Sequence, residues 1–240
     1  MNKSYCLSGT KTVIRRLFRQ DMEDILSCYE QYKQLYYNPI NETFIINTLL
    51  YGEIWGAYVD NSIVACCYYL PLNSSFYAQS PSFSAIADFT ENTEKYFLMG
   101  YVGIKPKIYS TDYSENPCAP TESGLYHCFL NIAQMQGFRR GHKYILHAMP
   151  VKLCFDIETL FRCGYKLIKL RGLENLVVHY IFAKAVFNEE DIYCVDSAEI
   201  AETTDLSDTK KVSALLESGY ICVDLCKKEN KLYFKRLVTD

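Results

Sequence analysis

Thr121, Glu122, Ser123 and Gly124 stand near the start of the stretch PTESGLYHCFLNIAQMQGFRRG, and their place before an apolar run marks the first turn of a helix. The first N–H groups of a helix lack intrahelical partners. Such a turn can hold a phosphate, or it can simply be capped by Thr121 or Ser123. Histidine suits proton transfer near neutral pH, and His127, His147 and His179 lie on a helix or on strands; each can equally be a packing residue. Tyr29, Tyr32 and Tyr36 recur at i, i+3 and i+7, with Tyr37 adjoining. They read either as one helix face against a sheet or as an aromatic wall around a flat or cationic group. Cys118 lies in an irregular stretch and is the thiol with most chance of an unusual environment.

Other chemistries find no support. There is no phosphate-binding P-loop, GxGxxG, GxSxG or HExxH word, and no CxxC pair that would suggest a metal site. The 11 cysteines show no framework spacing, several lie in apolar runs such as VACCYYL and YICVDLC, and they read as buried free thiols of a reducing, cytoplasmic compartment. A formal net charge of −3, with short and scattered basic clusters, argues against a nucleic-acid or membrane-surface partner. No apolar run reaches membrane-spanning length, and the start MNKSYCLSGTKTVIRRLF has no apolar core of a signal peptide.

The elements that must position these residues follow from periodicity and punctuation. KTVIRRLFRQD alternates as a strand and ends at Asp21, which with Asp24 opens the helix MEDILSCYEQYKQLYY; Asn38-Pro39 ends it. NETFIINTLL is a second helix, capped by Asn41 and closed at Gly52. EIWGAYVDNSIVACCYYLP is a hairpin turning at Asp60-Asn61. Residues 72–95 and 107–121 lose their periodicity and read as long loops around the strand YFLMGYVGI. After the helix at 122 come the strand KYILHAMPV, the short helix CFDIETLFRC ending at Gly164, and two strands about Gly172. The order β α α β β β α β α β β predicts an α/β fold with a mixed, mostly antiparallel sheet and flanking helices.

LFRCGYKLIKLRGLENLVV (160–178) aligns without gaps with LLESGYICVDLCKKENKLY (215–233): Leu160, Gly164, Tyr165, Leu170, Glu174 and Asn175 recur as Leu215, Gly219, Tyr220, Leu225, Glu229 and Asn230. Both read as helix, glycine, strand, turn, strand. The polar DSAEIAETTDLSDTKK before the second copy reads as a linker. The chain thus divides into a domain over 1–185 and a helix-plus-hairpin extension over 186–240, which docks on the domain or on a second subunit of a homodimer.

Four words in this order resemble the GNAT N-acetyltransferase family over residues 11 to 184: VIRRLFRQDMEDILSCY, EIWGAYVDNSIVACCYYLP, YVGIKP and YILHAMPVKLCFDIETLFRCGYKLIKL. The resemblance implies a splayed central strand pair with an acyl-CoA thioester in the gap. It also implies transfer of an acetyl or other short acyl group to an amine. The main chain at Val102, Gly103 and Ile104 would pair with pantetheine, and the turn of Thr121, Ser123, Gly124 and Leu125 would hold pyrophosphate. The link after the first helix, with Tyr29, Tyr32, Tyr36 and Tyr37, would border the acceptor. Departures are specific. The family's Arg/Gln-x-x-Gly-x-Gly/Ala loop is replaced by an insertion with one glycine, no arginine and the carboxylate of Glu122. Leu160 stands where many members carry the tyrosine that protonates the CoA thiolate, and the strand YFLMGYVGI has no glutamate base. His147, His127 and Tyr165 are the remaining candidates for acid and base. The alternative is a GNAT-like binding or regulatory module that has lost catalysis.

Overall fold

The computed structural model describes residues 3–7, 10–30, 41–72, 96–104, 122–151, 157–172, 178–187 and 200–237. They fall into two compact units, one of residues 1–94 with 98–133, the other of 95–97 with 134–240.

In the first unit, β1 (Lys3–Leu7), β2 (Thr10–Leu17), β3 (Glu53–Val59) and β4 (Ser62–Pro71) pair antiparallel in sequence order, and β5 (Tyr96–Ile104) lies beside β4. The β3–β4 turn is the one that Asp60-Asn61 predicts. Both residues have positive φ, 48° and 63°, the geometry that suits the twist of a two-residue hairpin and that Asp and Asn tolerate. Helix α1 (Met22–Glu30) packs on β4, and α2 (Glu42–Tyr51) on β3 and β4. Asn41 caps α2 as expected: its side-chain oxygen accepts the Phe44 N–H at 2.9 Å. Neighbouring residues of β4 serve opposite faces. Tyr68 stacks edge-on against Phe44 of α2, with centroids 5.3 Å apart, whereas the Tyr69 hydroxyl donates to the Phe129 carbonyl at 2.9 Å. Phe129 belongs to α3 (Glu122–Arg139), so this sheet carries helices on both faces.

The second unit orders its strands β6-β8-β7-β10-β11-β9, where β6 is Tyr144–Pro150, β7 Lys166–Gly172, β8 Val178–Ala185, β9 Glu202–Asp205, β10 Tyr220–Cys226 and β11 Lys231–Arg236. Their pairings are antiparallel. Helices α4 (Ile157–Arg162) and α5 (Thr209–Glu217) cover β7 and β10. Leu160, Tyr165, Leu167, Tyr180, Phe182 and Phe234 form its buried centre. The fold class is the expected one, a mostly antiparallel sheet with flanking helices.

Two strands were not expected. β1 precedes the first predicted strand, and β9 falls inside the stretch read as a linker. Of the four residues of β9 only Thr204 is buried, so no alternation announces the strand; its place is set by pairing with β11, Thr204 opposite Leu232. The continuation expected for the first helix past Glu30, the loop expected at 72–95 from residue 73 onward, and the loop expected at 107–121 lie outside the described residues.

Candidate functional site

The candidate cofactor residues belong to two elements of the first unit. Val102, Gly103 and Ile104 form the last three positions of β5, and Ser123, Gly124 and Leu125 stand in the first turn of α3. Leu125 is buried, which anchors that turn. Thr121 lies outside the described residues, as do Tyr32, Tyr36, Tyr37 and Cys118. Tyr29 is buried on α1, so the described member of the tyrosine series is a core residue.

The proton-transfer candidates are placed differently. His127 is exposed on α3. His147 is 1% exposed on β6, opposite Phe182 of β8, and His179 is buried opposite Pro150. Tyr165, also 1% exposed, follows Gly164, whose φ of 82° lets the chain leave α4 in the left-handed conformation. The Lys184 ammonium lies 5.8 Å from the Tyr165 ring centroid. Burial lowers the pKa of Lys184. Leu160, at the family's acid position, is fully buried in the second unit.

The sequence reading did not single out Tyr68 and Gly100. The phenol of Tyr68, on the α2 face of β4, lies over Gly100 of β5 so closely that a Cβ there would come 1.8 Å from Tyr68 Cζ and 2.2 Å from its hydroxyl oxygen. An interior strand glycine marks a close approach, and that was the available signal. Gly100 also takes the Cys67 thiol as a donor to its carbonyl at 3.1 Å. Burial raises the Tyr68 pKa, so this phenol is neutral at physiological pH. It can donate and accept hydrogen bonds but is no phenolate base. Burial raises the Cys67 thiol likewise, which removes it as a nucleophile.

A charged cluster holds the start of α1. Arg15 Nη1 and Nη2 donate to Asp21 Oδ2 and Oδ1 at 3.0 and 2.8 Å, and the Phe18 N–H donates to Oδ2 at 2.8 Å. Arg15 Nη2 also donates to the Tyr58 hydroxyl at 3.1 Å, and that hydroxyl donates in turn to Asp24 Oδ2 at 3.0 Å. The Arg15 hydrogen bonds hold the Asp21 carboxyl below its ordinary range. Its groups are mutually satisfied, and the cluster serves the α1–β2–β3 corner.

No family profile and no curated protein matches the chain. Solved structures do. An uncharacterized protein from Bacillus halodurans superposes with a TM-score of 0.52 at 12% identity, over 77% of this chain and 90% of its own. A Salmonella typhimurium protein assigned as an acetyltransferase, solved with its cofactor acetyl-CoA, gives 0.51 at 9% identity over 78% and 99%. The GNAT domain of S. lividans PAT gives 0.50 at 13% over 76% and 96%. Among the described residues no helix is long and apolar enough to cross a membrane. With its mostly antiparallel sheet, flanking helices and these neighbours, the chain carries the fold of the GNAT acyltransferases.

Proposed function

We propose that this chain transfers an acetyl or other short acyl group from acyl-CoA to an amine. The observation that carries the reading is the fold, in which cosubstrate binding rests largely on main chain. The ends of β5 and α3 supply such groups at Val102–Ile104 and Ser123–Leu125. Such groups would serve pantetheine and pyrophosphate without the family's arginine, although the charge of Glu122 opposes a phosphate there. The amine nitrogen attacks the thioester carbonyl, the C–S bond breaks, the nitrogen loses its proton and the CoA thiolate gains one. Tyr68, neutral and on the face that α2 covers, suits a hydrogen bond to the acceptor. His127 and His147 are the candidates for moving protons, and Tyr165 is the weaker one because its ring is a core residue.

A second reading has its own observation. Leu160 is fully buried and cannot donate a proton, which favours a module that binds acyl-CoA or a partner without turnover.

The test is thermal unfolding with acetyl-CoA, free CoA or ATP. At about 100 times its Kd, a ligand specific to the folded state adds about 2.7 kcal/mol, which for a chain of this size raises Tm by roughly 5–10 °C. A rise with both CoA forms and none with ATP is expected, and release of free CoA thiol in the presence of amines then separates the transferase from the silent module. Absence of any shift at millimolar CoA overturns both CoA readings.

A further inference from the structure

The two sequence repeats share the hydrogen bonds that close their helices, although the bond from the Tyr165 N–H to the Leu160 carbonyl at 3.0 Å has no counterpart in the second repeat. At the end of α4 the Cys163 N–H reaches the carbonyls of Thr159 and Leu160 at 2.9 and 3.1 Å. At the end of α5 the equivalent Ser218 N–H reaches those of Ala214 and Leu215 at 3.0 and 3.1 Å. Gly164 N–H then bonds Phe161 O, and its counterpart Gly219 bonds Leu216 O. Both glycines are left-handed, with φ of 82° and 83°. Each following strand breaks register with its hairpin partner at the same place, β7 between Leu167 and Lys169, β10 between Cys222 and Asp224. Ile157 and its counterpart Val212 are both buried.

The repeats also meet one another symmetrically. β7 and β10 pair antiparallel with Leu167 opposite Cys222, and these two residues are each other's counterparts in the alignment. A local two-fold axis therefore runs between them. The packing is reciprocal in the same sense, since α5 lies on β7 and α4 lies on β10. Equivalent residues facing each other across an axis, with each helix on the other's strand, is the geometry of an isologous dimer interface. Here it is built within one chain.

We propose that the edge of β7 and the side of α4 that lies on β10 form a self-complementary interface for a second copy of this chain, filled in cis by α5, β10 and β11. A contact without a symmetric mate favours the internal partner. Glu158 of α4 pairs with Lys227 at 3.8 Å, and the residue equivalent to Lys227 in the first repeat is Gly172, so a second copy could not supply that cation. The proposal gives residues 209–236 a role. They complete the sheet beyond β7 and keep that edge from pairing between molecules, the hazard of any open strand edge.

The full-length Leu167→Cys variant tests the pairing, with Cys222 as its native partner. Oxidised glutathione takes up the two electrons as the thiol introduced at position 167 joins that of Cys222. The expected product is a 167–222 disulfide within one chain, at monomer mass and independent of protein concentration, mapped by peptide mass spectrometry. A 167–222 bond between chains, or none, overturns the proposal. The full-length triple variant Leu167→Cys, Cys222→Ser, Val212→Lys asks for the latent partner. Val212 is wholly buried on α5, so a lysine there displaces the second repeat. The symmetry then places residue 167 opposite itself in another molecule, and a dimer linked 167 to 167 is expected. A product that stays at monomer mass overturns the self-complementary surface.

Discussion

Asp21→Ala lowers the unfolding free energy by about 3 kcal/mol at neutral pH, read from urea unfolding against the parent chain. The size follows from what the carboxylate holds. It is 8% exposed, takes both forks of the Arg15 guanidinium, and satisfies the Phe18 N–H at the start of α1. Its removal leaves Arg15, 27% exposed, over the Tyr58 ring, whose centroid lies 4.6 Å from Arg15 Cζ, with only Asp24 beyond the Tyr58 hydroxyl to balance its charge. Partial access of Arg15 to water keeps the loss below the upper range for buried pairs. The pH dependence has a definite sign. Hydrogen bonds from Arg15 depress the Asp21 pKa in the folded state. The stabilisation is therefore complete above the unfolded value of about 3.9 and disappears as pH falls through the folded one. Parent and variant must converge in acid. A gap below about 0.5 kcal/mol at pH 7, or one that widens below pH 4, refutes this account of the corner.

The same corner shows why some of the fold was legible and some was not. The Asp60-Asn61 turn, the Asn41 cap and the glycines ending α4 and α5 are local: each residue type answers a backbone demand within a few positions, and each stands where predicted. The GNAT resemblance, too, rested on words of strand and helix in order. Contacts between distant positions carry no such mark. Arg15 and Tyr58 lie 43 residues apart and meet because β2 and β3 pair. β9 exists because β11 offers it an edge. The repeat was visible in sequence, but that its copies face each other about an axis at Leu167 and Cys222 required the sheet order. In the candidate site, strand and helix ends could be placed from sequence because they depend on main chain. Tyr68 could not, because its position depends on the absence of a side chain one strand away.

That absence sets the second large effect. Gly100→Ala in β5 is expected to cost about 2–3 kcal/mol, the upper part of the range for overpacking, while an alanine in a strand is otherwise favoured over glycine by roughly 0.5–1 kcal/mol. The added Cβ would lie 1.8 Å from Tyr68 Cζ, 2.2 Å from its hydroxyl oxygen and 2.3 Å from Cε1, so the ring has to leave its place. Its exits are limited. The ring is 9% exposed and edge-on to Phe44, itself buried on α2. The cause can be isolated by a double-mutant cycle. Tyr68→Ala alone removes a buried ring and costs about 3–5 kcal/mol. In that background the Gly100→Ala clash is gone, and the substitution becomes neutral or slightly stabilising. The coupling is therefore about 2 kcal/mol or more, well above the roughly 0.5 kcal/mol scatter of independent sites. Urea unfolding of the four proteins decides it. Additive losses would mean that the glycine answers to some contact other than Tyr68, and the phenol would lose its claim to a defined position on the acceptor face. Strong coupling, together with a CoA-induced rise in Tm that survives in Gly100→Ala, would separate the two halves of the proposed site: main chain that binds the cosubstrate, and a phenol fixed by a missing side chain.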